Sequence, residues 1–361
     1  MVMQLSDNSI RDTFSKRLLQ ARKMLGLSLR ELAEKLGDSG VSYNALHKYE
    51  TGRMMPSSGV LIMLSDVLGQ PADFFLHPLK VNLEHIEFRK RTALGMKQED
   101  AISQKASEFF ERYMEIEEAL GVAGKFKNPF SEYPHVKTSS DIEQAAIFLR
   151  KQWNLGIDAL PGVLTLLEEK HIKIYEIDAS DKFDGFSGWA GDVPVIVLNR
   201  NFPDDRKRLS ALHELGHLLL SFPKDSIDSK TGEKFCTEFA GAMLLPNSVL
   251  FQNLGRTRTR ISLEELEEIK TRFGISCAAI MMRALKLGIF TSSFMKNFWI
   301  KWRKLGLNQC ERVKWGIPET PKRFNQLILR GVSEELISES KAASLLNEPL
   351  AAFRKRMGIL S

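Results

Sequence analysis

The sequence predicts a multidomain chain in which an all-α domain is followed by an α+β domain and then by a small helical C-terminal region. Three observations carry this. The first 75 or so residues divide into short, well-punctuated helical segments; from Asp141 to about residue 290 helical periodicity gives way to β-rich runs and back; and the remainder is helical and basic. The expected boundaries are 10–78 for the first domain, 79–140 for a helical linker, 141–290 for the α+β domain and 291–361 for the basic tail.

In the first domain, "TFSKRLLQARKMLGL" places Phe14, Leu18, Ala21 and Leu25 on one helical face. Ser28, with Glu31 after it, is a capping box for "LRELAEKLG", which Gly37 ends. After the turn "DSGV", Ser42 can cap "YNALHKYE", and "SSGVLIMLSDVLG" supplies a fourth helix. In the linker, "ASEFFERYMEIEEAL" sets Phe109, Phe110, Tyr113, Ile116 and Leu120 at helical spacing, as in a connecting or dimer-forming helix, and "GVAGKFKNPFSEYP" carries the breakers of a domain boundary. In the α+β part, "DIEQAAIFLRKQW" and "GVLTLLEEKH" are helical, "IKIYEI", "FSGWAG" and "VPVIVLN" are β-rich, and helices follow.

Composition narrows the function classes. Hydrophobic residues at 43% and charged residues at 27% are ordinary for a globular protein. No run reaches the roughly 18 apolar residues that cross a bilayer, and the amino terminus lacks the apolar centre of a signal peptide. A cytoplasmic protein without a membrane partner is expected. Cys236, Cys277 and Cys310 are odd in number and scattered, which argues against a disulfide framework. The net charge of +6 is uneven: residues 301–361 hold 12 Lys/Arg against 6 Asp/Glu, and residues 1–60 hold 9 against 6.

Two short helices joined by a turn are the helix-turn-helix arrangement, whose second helix enters the major groove of double-stranded DNA. Over residues 14–76, "LSLRELAEKLG…VSYNALHKYETGRMMP" resembles the Cro/repressor-type (XRE) DNA-binding domain, with Leu32, Ala33, Leu36, Leu46 and Tyr49 as its packing face. The resemblance implies that Tyr43, Asn44 and Lys48 take base-reading positions, with Ser42 and His47 beside them. Asn can bond adenine bidentately and Lys can reach guanine acceptors. Arg30, Arg53 and Lys35 are candidate phosphate contacts. Leu29 stands where that family often carries glutamine, and the turn is longer than usual. Such domains usually act as homodimers on paired operator half-sites.

The stretch "LSALHELGHLLLSF" sets His213 and His217 one helical turn apart, so both can face one cation while Glu214 projects beside them. Zinc bound there lowers the pKa of its water toward about 7, and Glu214 can take the proton and pass it to a leaving amine. A third protein ligand is required, and no histidine follows His217. "GEKFCTEFAGAMLLP" offers Glu233, Cys236 and Glu238, of which Glu233 has the preferred position because it shares a stripe with Thr237, Ala240 and Leu244. His85, His135 and His171 read as surface or core residues. The oxyanion donor of a zinc peptidase would be Tyr175, an arginine such as Arg256, Arg258 or Arg260, or a group supplied by the substrate, since no tyrosine follows His217 either. "VPVIVLN", just upstream, is a candidate edge strand for an extended substrate.

"RKRLSALHELGHLLL" with "EKFCTEFAGAMLLP" resembles the ImmA/IrrE-type zinc metallopeptidases, related to the gluzincins, and fusion of an XRE domain to such a zincin-like peptidase recurs. The resemblance implies a downstream glutamate as third ligand on a helix ending "LLxP", which carries over to Glu233. Thr237 departs from the Asn or Asp often found four residues later. What the resemblance implies is a transcriptional regulator whose zinc-dependent endopeptidase cleaves a partner repressor or antitoxin-like regulator encoded nearby. Two other readings stay open: a transcription factor whose peptidase fold is a non-catalytic sensor, and a peptidase whose N-terminal helices only dock the protein substrate.

Overall fold

The structure, a computed structural model, describes residues 7–37, 40–79, 81, 83–88, 95–223 and 227–358. Turn residues Asp38 and Ser39, and the side chain of His85, lie outside the described residues. Within the described residues the chain forms two compact units, one drawn from 1–84, 92–123 and 327–361, the other from 85–91 and 124–326.

Helix α1 (Asp7–Met24) stops before Gly26, whose φ of +62° ends it, and this leaves Leu25 47% exposed rather than on the packing face. Ser28 and Glu31 close the expected capping box at the head of α2 (Leu29–Leu36). Ser42 caps α3 (Tyr43–Glu50) and Ser57 caps α4 (Ser58–Leu68), which a 3-10 turn at Ala72–Leu76 follows. Phe14, Leu18, Ala21, Leu32, Leu36, Leu46, Tyr49, Leu64, Leu68 and Phe75 form the core, and Leu29 packs partly buried against it. Arg22 reaches from α1 to both carboxylate oxygens of Glu50 at 2.5 and 2.8 Å, which fixes the C-terminal end of α3.

Strand β1 (Leu83–Phe88) precedes α5 (Met96–Ala119), a helix of 24 residues. In the second unit α6 (Ser139–Gln152) and α7 (Val163–Glu169) lead to β2 (Lys173–Ile177), β3 (Gly185–Ala190) and β4 (Val193–Asn199). The strands form one sheet in the order β1-β3-β4-β2, with β2 parallel and β3 antiparallel to β4. Gly191, at φ +60°, turns the β3–β4 hairpin, in which Ala190 pairs with Val193. Strand β4 is therefore interior, contrary to the expectation that "VPVIVLN" offers an edge. Its near-continuous apolar run, buried at all but the first position, is what a strand paired on both sides requires.

Helices α8 (Asp204–Leu219) and α9 (Ser229–Leu244) pack at Gly216, where an added Cβ would meet Cys236 at 3.2 Å. Beyond lie α10 (Asn247–Leu254), α11 (Leu263–Phe273), α12 (Cys277–Lys286) and α13 (Ser292–Lys304), and the core runs from Phe130 to Leu307. The segment after α13 is pinned to α8. Glu319, 1% exposed, pairs with Arg208 and caps α7 by accepting from Val163 and Leu164 at 3.1 Å each. Lys207 donates to the Glu319 carbonyl at 2.7 Å. The chain then re-enters the first unit through α14 (Arg323–Ser333), α15 (Glu339–Leu345) and α16 (Leu350–Met357), where Lys341 pairs with Glu115 of α5.

Candidate metal centre and nucleic-acid face

His213 and His217 lie on the C-terminal half of α8, and Glu233 on the first turns of α9. The two imidazole Nε2 atoms are 3.1 Å apart, and each lies 3.4 Å from one oxygen of Glu233. Ligands at about 2.0–2.2 Å around a tetrahedral zinc are separated by about 3.3–3.5 Å, so these three edges have the size of one tetrahedral face. His213 is buried and His217 partly so, at 1% and 8% side-chain exposure, while Glu233 is 33% exposed, so the triad opens on the carboxylate side. Among the described residues no other group of three or more His, Cys, Asp or Glu converges in this way.

Glu233 is held ionised, the form that a metal ligand needs. Burial pushes the Glu233 carboxyl up, but the hydrogen bonds and charges of His213 and His217 outweigh it and hold the group well below the usual carboxylate range. Cys236, fully buried on the same helix, has its thiol pushed up by desolvation, so it stays protonated and is the poorer ligand candidate. Glu238, the other alternative, is engaged by Lys286 at 2.9 Å.

The supports of the triad come from two places. Thr237 donates its hydroxyl hydrogen to the Glu233 carbonyl at 3.0 Å, so toward His213 Nδ1, 3.1 Å away, the same oxygen is an acceptor. This assigns the proton to Nδ1 and leaves the Nε2 lone pair for a metal. The acceptor behind His213 is thus Thr237, at the position where Asn or Asp is often found. Ser187, buried on β3, donates to Glu214 Oε2 at 2.9 Å and orients the carboxylate. Ser187 was missed in the sequence because its partner is 27 residues away and nothing in "FSGWAG" marks it. Gly185 lies under the same carboxylate: a Cβ there would stand 2.7 Å from the Val197 carbonyl and 3.6 Å from Glu214 Oε1.

Of the expected oxyanion donors, Arg258 and Arg256 have other partners, Arg260 is exposed and Tyr175 lies on another strand. Arg258 pairs with Glu265 at 2.7 Å, and Arg256 lies over the Phe251 ring at 5.3 Å. Tyr175 sits on β2, which β4 separates from β3. His135 is exposed and bonds Ser221 Oγ at 2.7 Å.

In the first unit Ser42, Tyr43, Asn44, His47 and Lys48 are all exposed along one side of α3, as are Arg30 and Lys35 on α2 and Arg53 after α3. Tyr43 and His47 stack with ring planes 5° apart, and Ser42 Oγ accepts from Ala45 at the helix cap. Among the described residues no ion pair engages Arg30, Lys35, Lys48 or Arg53, so their charges face solvent.

A helix-turn-helix domain with a solvent-facing second helix, joined to a mixed α/β domain carrying an H-E-x-x-H triad, defines the class: a DNA-binding type of module fused to a metallopeptidase type of module. Residues 18–75 match the helix-turn-helix family model, and residues 167–285 match that of the IrrE N-terminal-like domain, a peptidase family. The chain thus joins an XRE-type helix-turn-helix domain to an ImmA/IrrE-type peptidase domain. A search of curated proteins finds no match. Among the described residues no helix is long and apolar enough to cross a membrane.

Proposed function

We propose that this chain is a transcriptional regulator that binds operator DNA through α3 and cleaves a partner regulatory protein, a repressor or antitoxin-like factor encoded nearby, with a zinc-dependent endopeptidase. The observation that supports this most is the convergence of His213, His217 and Glu233 beside a buried Glu214 held by Ser187. His213, His217 and Glu233 would hold the ion, and zinc bound there would supply a Lewis acid that lowers the pKa of water to about 7. Glu214 takes the proton of the attacking water and delivers it to the leaving amine nitrogen. Ser187 keeps one Glu214 oxygen aligned, and Thr237 keeps His213 in the Nδ1-protonated tautomer, which leaves the Nε2 lone pair for a metal. On the DNA side, Tyr43, Asn44 and Lys48 read base edges, Ser42 and His47 border them, and Arg30 and Arg53 contact phosphates in a homodimeric complex.

The deciding experiment combines metal analysis of the purified protein with incubation against the proteins encoded beside its gene. Stoichiometric zinc and a cleaved neighbour are expected, and Glu214→Gln should retain the zinc while losing cleavage. Absence of zinc overturns the reading. The commitment of Arg258 to Glu265 favours a second reading, a metal-binding sensor without hydrolysis. Unchanged regulation in Glu214→Gln would select it.

A further inference from the structure

We propose that the outer face of α13 is a second DNA-contacting surface, one that grips the phosphate backbone without reading sequence. Several basic residues of the C-terminal region are paired on folding. Toward the end of the chain, Arg330, Lys341, Arg354 and Arg356 pair with Glu334, Glu115, Glu339 and Glu348. Just after α13, Arg312 pairs with Glu267. Lys296, Lys301, Arg303 and Lys304 instead lie exposed on α13, a helix without an acidic residue, and no ion pair among the described residues engages them.

The helix is oriented so that the cations point away from the protein. Met295 and Trp302 are buried, and Phe294, Phe298 and Trp299 pack against the core, with Phe298 stacked on Trp302 at 5.3 Å. At 100° per residue the solvent side then carries Arg303 and Lys296 along one margin, Lys304, Asn297 and Lys301 along the other, and Ser293 with the half-exposed Ile300 between the margins. From Lys296 to Lys304 the helix advances about 12 Å, a length over which duplex DNA presents about seven phosphate charges. Four unpaired cations and two neutral hydrogen-bonding side chains on this face complement such a polyanion. A lipid surface fits less well: an interfacial helix turns its large apolar side chains outward, and here the aromatics are turned inward. Only Ile300 and Leu305, 51% and 69% exposed, are large apolar residues left outside.

This surface extends the DNA-binding reading given above, and the test separates the two. The salt dependence of binding to a non-specific DNA duplex is measured for the full chain, for Asn44→Ala with Lys48→Ala, for the combined Lys296→Gln, Lys301→Gln, Arg303→Gln and Lys304→Gln variant, and for both sets together. Each phosphate contact contributes about 0.9 to the slope of log affinity against log salt, so the glutamine variant should lose about 3 to 4 of slope, with and without the α3 changes. Because the four side chains are exposed and unpaired, the variant should keep a cooperative unfolding transition, lowered only by the lost charges in the last turn of α13, and an unchanged zinc content, which keeps the comparison interpretable. If α3 does not bind DNA, the alanine changes have no effect while the glutamine changes still act. An unaltered slope in the glutamine variant overturns the α13 surface. So does loss of binding to anionic phospholipid vesicles with DNA affinity retained, which would assign the helix to a membrane surface.

Discussion

Thr237 shows how one side chain can set the state of a neighbour it does not resemble chemically. Its hydroxyl has a single hydrogen, and with that hydrogen directed to the Glu233 carbonyl the oxygen must accept from His213. Thr237→Val removes the acceptor while keeping the shape, and should lower zinc affinity about 10–100-fold, the usual effect of losing a partner behind a metal-ligating histidine. Thr237→Ser should restore most of it. Competition titration with a chromogenic chelator reads both, and equal affinities in the valine variant and the parent would refute the tautomer assignment. At the same scale, the position of Glu233 was legible from its stripe on α9, because helical periodicity is local, whereas Ser187 was not, because only the pairing of strand and helix brings it to Glu214.

Between elements, small residues set the distances on which the centre depends. Gly185 lets β3 approach β4, and a methyl group 2.7 Å from the Val197 carbonyl would force the strands apart where Ser187 and Glu214 meet. Gly185→Ala should therefore cost about 1–3 kcal/mol, the range for overpacking a close contact. Calorimetry measures this, and activity should fall more than stability alone explains. In the first unit the capping box of α2 has a pH signature. The Ser28 backbone N–H, then the Lys97 ammonium, bring the Glu31 carboxyl from 4.5 down to about 2. A depressed folded value means that the contribution is complete above pH 4.5 and is lost as pH falls toward about 2. Wild type should thus be more stable than Glu31→Ala at neutral pH, and their unfolding midpoints should converge between pH 4.5 and about 2. A difference that persists at the acid end would count against the cap.

Over the whole molecule, buried charge fixes how the segment after α13 is held. Arg208 is 0% exposed and finds its counter-ion in Glu319, 111 residues later in the chain, with Trp315 lying over the guanidinium at 4.8 Å. Lys270 bridges Asp205 and Glu311 at 2.6 and 2.7 Å in the same unit. Removing one partner of a buried pair leaves the other uncompensated, so Glu319→Ala should cost about 3–5 kcal/mol. That loss is measurable as a fall in the denaturation midpoint. Replacing Glu319 by Gln keeps hydrogen bonding to the α7 N-terminus and should cost less, while a loss below 1 kcal/mol for alanine would mean that the pair is solvated.

The sequence by itself determined what depends on near neighbours: the serine caps and packing face of the helix-turn-helix domain, the one-turn spacing of His213 and His217, and the mixed character of the second domain. These follow from backbone periodicity and hydrogen bonds that close within a few residues. Only the tertiary structure decided that β4 lies inside the sheet, that Ser187 and Thr237 support the centre, and that α14 to α16 return to the unit that contains α5. It also decided which basic residues of the tail are paired and which remain free on α13. Each of these rests on contacts between residues far apart in the chain, and a pattern read along one dimension carries no information about which distant partner the folded core will bring against it.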